Sequence, residues 1–159
     1  MHRNIFLCMD SKSKMAGSLG TAVLGLGLLA CGTAETAETF GGPVEATVVR
    51  ILDGDTFLAD ALVWPGHSVR VNIRIRGIDA PEMKARCDGE RAAALRARDA
   101  LSALVGDSPV SISNIGGAKY YGRVLADVRP GDGREIAPIL LDEKLVRSYS
   151  GGRRAGWCG

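Results

Sequence analysis

The chain carries almost no net charge and few aromatic rings. Lys and Arg number 20 against 18 Asp and Glu, and Phe, Trp and Tyr together make 5% of 159 residues. A balance of +2 excludes a protein that coats nucleic acid by bulk charge. Any anion site must therefore be built from a few locally arranged arginines. A long apolar run is also missing. The longest, AGSLGTAVLGLGLLA (Ala16–Ala30), is Gly-rich and too short for a comfortable membrane span. By length the chain holds one domain and little beyond a leader.

That apolar run follows Lys12 and Lys14 and ends in small residues, the layout of a secretory signal. Its end, Leu28-Leu29-Ala30-Cys31, resembles the lipobox of bacterial lipoproteins, in which the cysteine becomes the lipidated first residue. The expectation is an exported chain with a lipoprotein-type signal over 1–31 and a lipid anchor at Cys31. An ordinary cleaved signal with an incidental cysteine is the alternative. MHRNIFLC lies outside the usual signal layout, and a start at Met9 would keep both lysines. Residues 32–42 are small, polar and repetitive and read as a flexible tether to a domain over 43–159. Cysteine is scarce too. With Cys8 in the leader and Cys31 at the lipid site, Cys87 and Cys158 remain as a disulfide pair suited to an oxidising envelope.

After Pro43 the strand patterns begin. VEATVVRIL (Val44–Leu52) is β-branched and stops at the turn pair Asp53-Gly54. TFLADALVW follows, closed by Pro65-Gly66. SVRVNIRIR then alternates, with Val69, Val71, Ile73 and Ile75 on one face and Arg70, Asn72, Arg74 and Arg76 on the other. Short turns between three such strands imply an antiparallel meander. A helix is predicted from an Asp88 N-cap to Gly106, with Ala94, Ala97, Leu101 and Leu104 as its apolar stripe. Strands over Val110–Ile115 and Arg123–Val128 and a short helix near Ile136–Glu143 complete the order. This predicts an α+β, mainly β fold: a five-stranded Greek-key barrel of the OB type with one longer and one short helix.

Three clusters put charged residues where a fold does not obviously need them. They are Asp53-Gly54-Asp55-Thr56, Arg74 with Asp79-Ala80-Pro81-Glu82, and Tyr120-Tyr121-Gly122-Arg123. Asp55 and Asp79 are oxygen donors near strand ends and suit a hard divalent cation such as calcium. Glu82 has the chemistry of a general base holding a water. Arg74 and Arg123 can neutralise a phosphoryl centre as charge develops on it. Metal, base and paired cations form the parts of a phosphodiester hydrolase.

In order and spacing, these motifs resemble the staphylococcal nuclease (thermonuclease) family, over about Val44 to Tyr149. The resemblance implies an OB-fold barrel that hydrolyses DNA and RNA with calcium, leaving 3′-phosphate ends. It implies Asp55 and Asp79 as calcium carboxylates, with Ala80 contributing its backbone carbonyl. Glu82 takes the place of the general base, and Arg74 and Arg123 those of the arginines that grip the phosphate. Tyr121 matches a residue lining the nucleotide site, and Tyr149 lies near a family tyrosine that packs on a base. The chain departs from the pattern at Lys119 and Tyr120, where an acidic and then a basic residue are usual. A lost cation there weakens phosphate binding unless a second aromatic compensates by stacking. The prototype's last helix is also missing, and a Cys87–Cys158 bridge would stand in as a staple.

Blander roles compete at each position. Asp53 fits turn chemistry, and Arg70 and Arg76 fit a solvated strand face. His67 fits a polar hairpin residue, Trp64 and Trp157 fit packing or loop cover, and Arg153 and Arg154 fit a solvated tail. The activity expected is a monomeric, calcium-dependent nuclease acting on DNA or RNA. A non-catalytic, envelope-associated OB module that binds nucleic acid is the alternative, and a structural calcium site the third.

Overall fold

A computed structural model of the protein describes residues 38–118 and 121–158. The expected signal over 1–31 with Cys31, and the departures at Lys119 and Tyr120, lie outside the described residues. Among the described residues no helix is long and apolar enough to cross a membrane.

The described chain forms β1 (Thr39–Phe40), β2 (Val44–Ile51), β3 (Thr56–Trp64), β4 (His67–Ile75), β5 (Ile78–Asp79), α1 (Asp88–Val105), β6 (Val110–Gly117), β7 (Arg123–Arg129), α2 (Ile136–Asp142) and β8 (Arg147–Ser148). The first three long strands, β2, β3 and β4, form the expected antiparallel meander. β7 joins β4 in parallel, β6 joins β7 antiparallel, and β6 returns to β2. The sheet thereby closes into a five-stranded, OB-fold-like barrel carrying one long and one short helix. Closure leaves the long strands no free edge in the barrel, which an open five-stranded sheet would have.

Small and large side chains alternate inside. Ala46, Ala59, Ala61 and Ala126 leave room for Phe57, Ile73, Ile75, Ile112 and Val128, and Leu101 of α1 and Ile136 and Leu140 of α2 join the same buried cluster. The α1 stripe buries Ala94, Ala97, Leu101 and Val105, with Leu104 half-buried. The helix begins one residue earlier than expected. Cys87 is the N-cap and Asp88 the first helical residue. The sulfur of Cys87 is bonded to that of Cys158, so it makes no cap bond.

Two features of the barrel decide where the site lies. The β3–β4 register sets Thr56 opposite Arg74, so Asp55 enters β3 beside the end of β4, its carbonyl accepting the Ile75 N–H at 2.8 Å. The parallel β4–β7 register sets Asn72 opposite Arg123 and Arg74 opposite Leu125. Gly122 has a φ of +75°, a conformation a side chain would strain, and its carbonyl accepts the Asn72 N–H at 3.1 Å to start that pairing. Gly54 is needed for close packing rather than for a left-handed backbone. Its φ is not positive; a Cβ there would lie 2.5 Å from that of Ala97 and 3.0 Å from that of Ala80, so α1 sits against the turn.

Short pairings tie down both ends of the domain. Thr39–Phe40, expected at the end of the tether, pairs with Gly116 and Ile115 of β6. At the other end β8 pairs antiparallel with β5, and the Tyr149 N–H donates to the Gly77 carbonyl at 2.8 Å. Residues 149–158 then run back to Cys87 through the disulfide.

Candidate active site

Asp55, Arg74, Ala80, Glu82, Arg123 and Tyr149 line one cleft of about 630 Å³. They come from the turn before β3, the end of β4, the loop after β5, the start of β7 and the chain after β8. Asp79 belongs to the same cluster through its bonds. Tyr121 does not join it. It stands fully exposed in the turn before β7.

Arg74 is the centre of this arrangement. It is only 9% exposed, and its guanidinium bridges both aspartates: Nη1 donates to Asp55 Oδ1 at 2.6 Å and Nη2 to Asp79 Oδ1 at 3.3 Å. Nη2 also donates to the Ile78 carbonyl at 3.1 Å. Such a fork holds two carboxylates in fixed geometry, which the point charge of a lysine would not do. Asp55, 2% exposed, accepts from the Thr56 hydroxyl at 2.7 Å and from the Ala80 N–H at 2.9 Å. Thr56 of the Asp-Gly-Asp-Thr motif thus fixes the carboxylate that precedes it.

Asp53 caps the turn by accepting the Asp55 N–H at 3.0 Å, the turn role foreseen for it. Burial, and then the negative charge of Asp55, push its pKa up to about 6, against the opposing pull of the Asp55 N–H and Arg74.

Arg154 departs most from the solvated tail expected of it. Its Nε lies 2.9 Å from Asp79 Oδ1, and its Nη1 is paired with Glu82 Oε1. Burial opposes its charge, yet Asp79, Glu82 and Asp55 together hold its pKa above the ordinary arginine value. Arg76 also departs from a plain solvated face. It donates to the carbonyls of Asn114 and Leu125, bracing β6 and β7, and lies 3.4 Å from Asp127. Arg70 is as expected, exposed and paired with Asp60 at 2.8 Å. His67 is the exposed first residue of β4, beside the Pro65 carbonyl. Trp64 is 71% exposed and so packs no core, whereas Trp157 is half-buried under the Arg147 guanidinium, 3.8 Å from its ring centroid.

The donor set fits a hard cation. Asp55 and Asp79 would supply carboxylate oxygens and Ala80 a carbonyl, and among the described residues no sulfur or imidazole nitrogen lines the cleft. Two buried carboxylates already share Arg74, and a second positive group, Arg154, is drawn onto Asp79 and Glu82. Among the described residues the one cluster of three Cys and acidic side chains within 4.8 Å is Cys87, Glu90 and Cys158. Its sulfurs are bonded to each other, and Glu90 instead accepts the N–H groups of Glu82 and Arg86, both at 3.4 Å, which draws the Pro81–Arg86 loop onto the start of α1.

Apart from the departure at Arg154, the tail residue, the cleft gathers acids, arginines and a tyrosine from five separate places in the chain. No protein-family model matches the chain, and comparison with curated proteins returns no match either.

Proposed function

We propose that this protein hydrolyses nucleic-acid phosphodiester bonds. The observation that carries the reading is the shared cleft in which Glu82 and Arg123 stand beside the Arg74-bridged pair Asp55 and Asp79. The resemblance to the staphylococcal nuclease motifs supports the same assignment of roles.

In this reading Arg74 and Arg123 hold the scissile phosphate and meet the charge that builds on its oxygens. Glu82, exposed at the cleft mouth, takes the proton of the attacking water. Tyr149 offers a ring at the cleft wall for a neighbouring base. Asp55, Asp79 and the Ala80 carbonyl would hold a calcium ion, which would supply Lewis-acid polarisation of the phosphate. Cleavage of the 5′ P–O bond leaves 3′-phosphate ends. Export and lipid anchoring at Cys31 belong to the same proposal and put the substrate outside the cytoplasm.

The Arg154–Glu82 pair is the observation favouring the other reading, a module that binds nucleic acid without cleaving it. One experiment separates the two. Residues 38–159 are incubated with single-stranded DNA in calcium and in chelator. The nuclease reading expects cleavage in calcium only, lost by two orders of magnitude or more in Glu82→Gln, as removing a general base costs about 10²–10⁴-fold. Binding without cleavage by the wild type would leave the module reading standing, and undiminished cleavage by Glu82→Gln would overturn the role given to Glu82.

A further inference from the structure

The chain after β8 is fixed at both ends and crosses the cleft between them. At its start Tyr149 is held to Gly77, and its hydroxyl donates to the Gly152 carbonyl at 2.8 Å. At its end Cys158 is bonded to Cys87 at the N-cap of α1, and Arg147 both covers Trp157 and donates to the Gly156 carbonyl at 2.9 Å. A segment so held presents Arg154 at a defined place. Its guanidinium touches Asp79 and Glu82 and lines the same cleft as Arg74 and Arg123. It is nevertheless accessible, with 38% of its side chain exposed, and its Cζ lies 6.0 Å from the Tyr149 ring centroid. Arg74, by contrast, is locked among buried partners.

An arginine on a candidate metal carboxylate and on a candidate base competes with a divalent cation for the same oxygens. A cation bound at Asp55 and Asp79 repels the guanidinium, which is tethered too closely to leave the cleft. The strongest anion then within its reach is a substrate phosphate. Resting on the nuclease reading above, we propose that Arg154 is a third phosphate-binding arginine, held on Asp79 and Glu82 until calcium displaces it onto the nucleic-acid backbone. It supplies the cation that the sequence lacks at Tyr120.

The test uses residues 38–159 as wild type, Arg154→Ala and, as the neighbouring control, Arg153→Ala. Calorimetric titration with calcium alone, without nucleic acid, reads the competition. Arg154→Ala is expected to bind calcium roughly two- to fivefold more tightly, the range of an exposed ion pair removed from its path. Kinetics on single-stranded DNA read the second half. KM is expected to rise about tenfold with little change in kcat, the weight of one charge-assisted contact. The slope of log KM against log salt should fall by about 0.7, one phosphate contact fewer. Arg153→Ala is expected to match the wild type throughout. Calcium affinity unchanged or weakened in Arg154→Ala overturns the displacement, as does a wild type that binds no calcium. An unchanged KM and salt slope overturn the phosphate contact. A wild type that binds calcium, with the expected tightening in Arg154→Ala, but cuts no DNA refutes the nuclease reading while the competition stands; the salt slope of DNA binding in calcium then decides the phosphate contact.

Discussion

Arg70 and Arg74 stand four residues apart on β4, Arg70 facing Asp60 of β3 and Arg74 facing Asp55 in the turn that leads into β3. Arg70 meets Asp60 through two bonds of 2.8 Å in the open. Arg74 meets Asp55 at 2.6 Å inside the protein and reaches on to Asp79. The bond lengths barely differ, but the surroundings do. Beside Arg70 the paired strands run on to an exposed hairpin tip carrying Leu62, Val63 and Trp64. Beside Arg74 the turn at Gly54 is pressed against α1, and the loop after β5 folds over it. An ion pair in water offsets little more than the ordering of its own side chains. A buried one has given up hydration on both partners, and neither can lose the other without a large cost. The same residue pair is thus surface chemistry at one end of a strand and the framework of a site at the other.

Removing the two arginines gives the sharpest break in that comparison. Arg74→Ala leaves Asp55 and Asp79 buried without their shared cation. The Thr56 hydroxyl and Ala80 N–H still serve Asp55, and Arg154 still serves Asp79. The expected loss is therefore roughly 3 kcal/mol in urea unfolding, the low end of the cost of breaking a buried pair. Arg74→Lys keeps a charge but not the fork and should fall between the two. A loss in Arg74→Ala no larger than that of an exposed pair would refute the account of the site as a buried framework.

The alternation of SVRVNIRIR predicts β4 and places Arg74 on the face opposite Ile73 and Ile75, but alternation assigns that face to solvent. The structure buries Ile73, Arg74 and Ile75 alike, because the barrel covers one face and the loop after β5 covers the other. Strand identities, the meander, the long helix and the closed barrel follow from local pattern and turn residues, which is why they are legible in sequence. The gathering of Asp55, Asp79, Glu82 and Arg123 is legible through motif spacing. Arg154 is not, because its position depends on a disulfide between cysteines 71 positions apart and on a two-residue strand pairing. Neither leaves a periodic trace in the tail. Arg76 and Trp64 depart from their pattern for a related reason: whether a strand-end side chain is covered is decided by what crosses it, not by its own strand.

A subtler contrast lies between two aspartates, Asp53 at the buried end of the hairpin and Asp60 near its exposed end. Folded Asp53 keeps its proton to about pH 6, whereas an ordinary carboxyl releases it near 3.8. Between these values the folded state binds more protons than the unfolded one, so stability falls as pH rises through that window. Above pH 6 the whole penalty is present. Asp53→Asn removes it while keeping an acceptor for the Asp55 N–H. In chelator, its urea midpoint should exceed that of the wild type at pH 7 and converge with it at pH 4. A variant advantage that grows toward low pH would reverse the assigned cause.

The smallest expected effect belongs to Arg70. Its hydrogen bonds lower the pKa of Asp60, desolvation opposes them, and its charge adds a smaller downward pull. A lowered carboxyl pKa contributes stability above the ordinary value and loses it as pH falls through the folded one. Both partners are exposed, so solvent screens that contribution almost entirely. In Arg70→Ala, the Asp60 carboxyl followed by NMR titration should return to the ordinary range. The urea midpoint at pH 7 and the rate of DNA cleavage should stay within error of the wild type. A midpoint shift approaching that of Arg74→Ala would show that strand position, rather than burial, sets the weight of these pairs, and the distinction between the two ends of the hairpin would fall.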